Sequence, residues 1–361
     1  MREPTFSGII GRRRTGMFVL AIETSCDETS AAVLRASETA PAARETPLPA
    51  PEILSNIVLS QDEIHAPYGG VVPELASRQH IRTIDAIVGE SLSRAGVGLE
   101  KIDLYAVTQG PGLIGSLLVG LSFAKSLAYY FKKPLVGVDH LAAHLEAAFL
   151  ENPGIPFPAL GLLVSGGHTS LYFMDGPLSL QVLGRTRDDA AGEALDKVAK
   201  FLDLGYPGGP VIERLARGGD PKKFPFAVPR TKDRSLDFSF SGLKTAALRL
   251  IRENGISKSG PALAGFLASF EEIVARSLLD NVRQAVDETR PRALILCGGV
   301  ARNTRLRTRF QEFAREADLA AFIPSPKLCT DNAAMVAALA LRKFTRQSAA
   351  APDLDLDAYP R

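Results

Sequence analysis

Of five histidines (His65, His80, His140, His144 and His168), two stand four residues apart. On a helix His140 and His144 share one face, and two imidazoles one turn apart can hold a single metal ion. They follow an apolar, strand-like run at 135–138, and the end of a strand in an α/β sheet is where ligands are met. The spacing suits an accidental pair on a half-exposed helix equally well, and it names no third ligand. Neither Glu146 nor Glu151 stands where the base of a His-Glu-x-x-His metalloprotease would be. Carboxylates gather at predicted element ends: Glu23, Asp27 and Glu28, then Asp188, Asp189, Glu193 and Asp196. Each can bind a metal, take a proton, cap a helix or face solvent. Asp331, just before an Asn332-Ala-Ala-Met-Val helical pattern, reads as an N-cap.

Glycine-rich turns form a second signal: Thr108-Gln-Gly-Pro-Gly-Leu-Ile-Gly115, Val164-Ser-Gly-Gly-His168, Tyr206-Pro-Gly-Gly-Pro210 and Cys297-Gly-Gly-Val300. Without a Cβ the backbone can approach a ligand, and its amides can cradle phosphate. A single such turn is ordinary, but four after predicted strands favour a ligand cleft. No Walker loop or Gly-x-Gly-x-x-Gly fingerprint occurs. Basic residues cluster at Lys222, Lys223, Arg230, Lys232 and Arg234, and again at Arg302, Arg305, Arg307, Arg309 and Arg315. Each cluster is either a solvated face or a set of phosphate contacts to RNA.

The elements that position these residues repeat. Strand patterns at 19–24, 31–36 and 53–59 are followed by a helix at 73–95, a strand at 104–108, a helix at 116–131, a strand at 135–138 and a helix at 141–150. The second half restarts with strands at 160–164, 170–174 and 180–184 and helices at 190–204 and 211–216. A Pro-rich basic stretch and helices at 242–253 and 263–288 come next. A strand at 293–297, a helix at 303–317, a strand at 321–323 and a helix at 332–344 complete the pattern. Two halves of this form predict an α/β protein of duplicated ribonuclease-H-like domains around a cleft, the two-lobed design of actin, Hsp70 and sugar kinases (ASKHA). Such a fold binds nucleotides without fixing the reaction.

The domain reading is an N-terminal extension at 1–16, disordered or untranslated if synthesis starts at Met17, then lobe 1 at 17–150 and lobe 2 at 151–329 with a helical insertion. The helix at about 330–346 is expected to pack back on lobe 1, and 347–361 to be a flexible tail. The loop from Ser37 to Pro51 is expected to be exposed. With 42 basic and 40 acidic residues among 361, bulk charge advertises no polyanion. Three distant cysteines, Cys26, Cys297 and Cys329, suit neither a disulfide framework nor a thiolate zinc site, and fit a reducing cytoplasm. No stretch reads as a membrane span, and the Arg-bearing start lacks the apolar core of a secretory signal.

Taken in order, several strings resemble one family, the tRNA N6-threonylcarbamoyladenosine transferase catalytic subunit, formerly the O-sialoglycoprotein endopeptidase or glycoprotease family. They include Ile22-Glu-Thr-Ser-Cys-Asp-Glu-Thr29, His65-Ala-Pro-Tyr-Gly-Gly-Val-Val-Pro-Glu74, Val138-Asp-His-Leu-Ala-Ala-His144, Val164-Ser-Gly-Gly-His168, Phe238-Ser-Phe-Ser-Gly-Leu-Lys244 and Cys329-Thr-Asp-Asn332. The resemblance runs from about Met17 to Phe344. It implies one metal ion per subunit, Fe(II) favoured and Zn(II) possible, on His140, His144 and Asp331, which overrides the N-cap reading of Asp331. It implies a threonylcarbamoyl-AMP site at Leu163, Val164, Ser165, Gly166, Gly167, Asp196, Gly209 and Asn303. The implied reaction is attack by the exocyclic amine of the adenosine next to the anticodon, in tRNAs reading codons that start with A, with release of AMP. Asp27 or Glu28 is the candidate general base. Implied partners are tRNA and, if the chain is bacterial, a metal-free paralogue of the same fold and a small P-loop ATPase; mitochondrial relatives act as homodimers. The expected setting is cytoplasmic, without a membrane. A protease, an ATP-dependent kinase or ATPase, and an idle scaffold are the competing readings.

Overall fold

A computed structural model describes residues 16–36, 49–228, 235–346 and 356–360. Most of the expected N-terminal extension, residues 37–48 of the expected loop, and Arg230, Lys232 and Arg234 lie outside the described residues. Ten strands form two sheets of five. The first holds β1 (Met17–Glu23), β2 (Glu28–Ala36), β3 (Glu52–Ser60), β4 (Leu104–Gly110) and β5 (Leu135–Asp139) in the order β3-β2-β1-β4-β5. The second holds β6 (Ala159–Val164), β7 (Thr169–Gly176), β8 (Ser179–Arg185), β9 (Ala293–Cys297) and β10 (Ala320–Phe322) in the order β10-β9-β6-β7-β8. Read from the other edge, the second order repeats the first, strand for strand. In each sheet the first two connections are antiparallel hairpins and the rest are parallel crossovers. The duplicated ribonuclease-H-like pattern is therefore present in the backbone.

The helices are α1 (Asp62–His65), α2 (Pro73–Ala95), α3 (Ile114–Phe131), α4 (His140–Glu151), α5 (Ala191–Phe201), α6 (Gly208–Ala216), α7 (Ser241–Glu253), α8 (Pro261–Thr289), α9 (Thr304–Glu316), α10 (Pro326–Cys329) and α11 (Ala333–Arg346). Their faces follow from sequence. In α2, Ala76, His80, Ile84, Val88 and Ser91 are buried at steps of three and four, the stripe of an amphipathic helix. Gly96 then ends it in the left-handed region, donating back to Leu92 and Ser93. Among the described residues one helix, α3, is long and apolar enough to cross a membrane; here it packs on β4 and α2.

Helices α4 and α11 tie the halves together. One face of the first sheet is closed by α2 and α3, around Leu20, Ile22, Val33 and Val107. The other is closed by α11, whose buried residues Ala333 to Leu341 share a core with Val19, Ala21, Leu34 and Ala106. Helix α4 contributes Ala143 and Ala147 to that core while Leu145, Ala148 and Phe149 pack with β6, β7 and β9 of the second sheet. The lobe boundary expected near residue 150 thus falls at the end of a helix shared by both sheets. Inside the α4–α11 contact Arg342 donates to both oxygens of Glu146 at 2.6–2.9 Å and stacks over Phe149 at 5.0 Å.

The flexible-tail expectation needs correction. Residues 347–355 lie outside the described set, but Leu356–Pro360 is docked. The Tyr359 amide donates to Gln109 O at 2.9 Å, and its phenol donates to Asp139 Oδ2 at 2.7 Å. Leu356 and Ala358 pack against the core beneath α2 and α3. The contact needs glycine at 110, where a Cβ would lie 2.3 Å from the Tyr359 carbonyl oxygen.

Candidate metal centre

The strand ends of the first sheet and the start of α4 build the centre. Asp139 ends β5 and caps α4, its Oδ1 accepting from the Ala142 amide at 2.8 Å. His140 is therefore the first helical residue, and His144 stands one turn on; both are buried, with rings 4.7 Å apart. From the far end of the chain comes Asp331. It does not cap α11, contrary to the first reading of its sequence context. That role falls to Asn332, whose Oδ1 accepts from the Met335 amide at 3.2 Å, while Ser30 and Asn56 accept from Ala333 and Ala334. Asp331 is left to face the histidines: its Oδ1 lies 3.0 Å from His144 Nε2 and 3.6 Å from His140 Nε2.

These donors fit a divalent cation. Ligand atoms at about 2.1 Å from a tetrahedral ion stand about 3.4 Å apart, and the two Asp331 distances bracket that value. His144 Nδ1 is buried without a hydrogen-bond partner, so this ring is held by what its other nitrogen faces. His140 Nδ1 has partners in Glu23 Oε2 and Ser25 Oγ, both at 3.2 Å, which aims Nε2 toward Asp331. Glu23 is itself fixed by Thr108, whose hydroxyl donates at 2.5 Å. Without a cation, burial alone would lower the His140 pKa, but Asp331 and Glu23 outweigh it and push it up to about 9. Burial would raise Asp331, yet His140 and His144 hold it well below the usual carboxylate range. Groups whose proton affinities are pushed this far apart by burial and by one another mark a candidate functional site.

The remaining predicted residues divide between this centre and the second lobe. Asp27 and Glu28 follow the same β1 turn; burial raises both, the Asp331 charge adds to each, and Asp27 pushes Glu28 further up. Leu163 and Val164 end β6, buried, and Ser165 turns the chain by donating its amide to His168 O at 2.8 Å. Gly166 and Gly167 form the accessible tip. Gly298, in the left-handed region, presses on this turn, since a Cβ there would meet Val164 O at 2.4 Å. His168, not singled out as a site residue from sequence, has its ring 6.4 Å from that of His140. It brings the second-lobe turn to the metal centre, and its place directly after Ser-Gly-Gly was the available signal.

Asp196 Oδ1 accepts the Gly208 amide at 2.7 Å. Burial pushes its pKa up to about 6 against the Gly208 and Gly209 amides that lower it, and the Asp27 charge adds a smaller upward push. Asp196 and Gly209 thus meet at the start of α6 within electrostatic reach of the first lobe. Asn303 is engaged differently: Oδ1 caps α9 through the Leu306 amide at 3.0 Å, and Nδ2 donates to Glu271 at 2.6 Å. Burial raises Glu271 to about 7.

Other charges serve the scaffold. Asp188 accepts from the Phe240 and Ser241 amides at the start of α7, and Asp189 pairs with Lys197 and Lys244. The Arg cluster of α9 is largely spent within the protein. Arg309 pairs with Glu272 and Glu312, Arg305 with Glu272, and Arg307 donates to the Ala301 and Pro324 carbonyls.

Comparison with known proteins gives a consistent picture. The family model TsaD, described as tRNA N6-adenosine threonylcarbamoyltransferase, matches residues 52–338. A relative of that name from Anaeromyxobacter dehalogenans (strain 2CP-C) is 50% identical over 340 residues, covering 94% of this chain and 98% of its own. Among solved structures, T. kodakarensis HypF aligns with a TM-score of 0.60 at 15% identity, over 91% of this chain and 48% of its own. The (R)-2-hydroxyglutaryl-CoA dehydratase component A of Acidaminococcus fermentans aligns with a TM-score of 0.52 at 13% identity, over 91% and 98%. These structural likenesses speak to the fold alone, and they agree with the two-lobed ASKHA architecture.

Proposed function

Because the chain belongs to the tRNA N6-adenosine threonylcarbamoyltransferase family, we propose that the centre between β5, α4 and Asp331 is where its transfer reaction takes place. The activity is transfer of a threonylcarbamoyl group to the N6 amine of adenosine in tRNA. The observation that carries the site assignment is the convergence of His140 Nε2, His144 Nε2 and Asp331 Oδ1, drawn from residues nearly two hundred positions apart.

The proposed donor is threonylcarbamoyl-AMP, and the proposed acceptor is the adenosine next to the anticodon in tRNAs reading codons that start with A. N6 attacks the carbamoyl carbonyl, the bond from that carbon to the phosphate oxygen breaks, and AMP leaves. AMP is a good leaving group, so positioning and charge stabilisation matter more than a strong nucleophile. A divalent cation on His140, His144 and Asp331, Fe(II) favoured and Zn(II) possible, would supply Lewis acidity toward the developing oxyanion. Asp27 or Glu28 takes the N6 proton as the new bond forms, a role suited by carboxyl groups whose proton affinity burial has raised. The Leu163–Gly167 turn, Asp196, Gly209 and Asn303 hold the threonylcarbamoyl-AMP donor. Supporting this, the turn carries accessible glycines and stands beside the His140 ring through His168.

Partners remain part of the proposal: a metal-free paralogue of the same fold and a small P-loop ATPase, or a homodimer, in the cytoplasm. The test is transfer of labelled threonylcarbamoyl from synthase-made donor to unmodified tRNA, with partner proteins supplied. Label on tRNA that is lost with His140→Ala supports the site. Undiminished transfer by that variant removes the metal centre from the reaction. Replacing Asp27 or Glu28 by Ala with no loss of turnover removes that residue as base.

A further inference from the structure

We propose that Tyr359 is a positioning residue for the metal centre, holding the first turn of α4 through Asp139. The inference rests on the assignment of His140, His144 and Asp331 as metal ligands. One oxygen of Asp139 caps α4 through the Ala142 amide at 2.8 Å, and the other accepts the Tyr359 phenol at 2.7 Å. The next residue is His140. Its ring is gripped from the β1 side by Glu23 and Ser25, while the backbone that carries it is gripped from the β4–β5 side by Tyr359. A carboxylate bonded at both oxygens loses its rotational freedom, and the helix start it caps loses it too. The phenol stays protonated as the donor, since burial and the Asp139 carboxylate both push its pKa upward.

Tyr359 is well placed to bear load. Its amide donates to Gln109 O at the end of β4, and Leu356 and Ala358 seat on the core beneath α2 and α3. From the opposite side Lys343 of α11 donates to Gly137 O at 2.7 Å. The end of edge strand β5, directly before the ligand helix, is thus clasped between two contacts from the last part of the chain. Ligand geometry must hold within about 0.5 Å to bind metal well, and loss of an outer partner costs about 10–100-fold in affinity.

The test is a Co(II) titration of the metal-stripped full-length protein, read by its visible absorption and by competition with a chelating dye. It compares wild type, Tyr359→Phe, a chain stopped after residue 355, Asp139→Asn, and Asp139→Asn with Tyr359→Phe. The expected result is stoichiometric binding by wild type and affinity about tenfold weaker in Tyr359→Phe and in the shortened chain, with unchanged melting of metal-free Tyr359→Phe. Asn still caps α4, so Tyr359→Phe should cost less in the Asp139→Asn background than alone if its effect passes through Asp139. Equal affinity of wild type and Tyr359→Phe overturns the proposal. So does tighter binding by the shortened chain, which would make the segment an obstruction. Failure of wild type to bind Co(II) would instead overturn the ligand assignment itself.

Discussion

Replacing Arg342 with methionine should cost about 3–5 kcal/mol of stability, the penalty for leaving one member of a buried ion pair alone. Both side chains are 9% exposed. The guanidinium supplies three hydrogen bonds to Glu146, and among the described residues no other donor reaches that carboxylate. Even with Arg342 present, burial raises the Glu146 pKa more than the guanidinium lowers it. The intact pair therefore adds little net stability, and the cost arises on breaking it. Glu146 in the variant would escape by taking a proton, so the loss must shrink toward acid, by at most about 1.4 kcal/mol per pH unit. Urea unfolding followed by circular dichroism at about pH 5.5 and about pH 8 reads both magnitude and slope. Replacing the pair together, with Glu146→Leu and Arg342→Met, should recover most of the loss. A single-variant loss below about 1 kcal/mol, or one that grows as pH falls, would refute the reasoning.

Three further outcomes are expected. His144→Ala and Asp331→Asn should each abolish stoichiometric metal, measured by elemental analysis after dialysis, while far-ultraviolet circular dichroism stays as in wild type. Glu23→Gln should keep the metal but weaken it about 10–100-fold, because an amide holds the His140 Nδ1 proton less strongly than the carboxylate 3.2 Å away does; a chelator titration checks this. Glu271, raised to about 7, binds its proton more tightly in the folded than in the unfolded protein. Its contribution to stability is full below about pH 4.5, falls as pH rises to about 7 and is flat above. Melting temperature against pH should lose that decline in Glu271→Gln.

The repeated strand and helix order, and the placement of nearly every element, were legible because alternating and helical periodicities are local properties. The His140–His144 pair was legible for the same reason. The third ligand entered only through the family resemblance, because Asp331 and Asn332 are both good caps by local pattern, and the seating of α11 against Ser30 and Asn56 decides that Asn332 caps and Asp331 turns away. The sequence of α9 shows four arginines near one another, but their partners Glu272 and the Ala301 and Pro324 carbonyls come from outside the helix. The docking of Tyr359 had no signal, since the apolar residues around it are sparse and the receiving surface belongs to β4 and β5. Membership of α4 in two cores was also hidden, because a helix apolar on both sides does not say which sheets it separates.

The seating of α11 on the first sheet has a consequence for synthesis. The face of the first sheet carrying Val19, Ala21, Leu34 and Ala106 is closed by α11, the last helix described. While the ribosome is still translating the second half, the nascent first half exposes that apolar face and cannot complete its own core. Domains ordinarily fold in order of emergence, but here the first lobe must wait until residue 346 has cleared the exit tunnel. The earlier-made half is therefore the later to finish, and it is the half a holdase chaperone would have to shield in the cell.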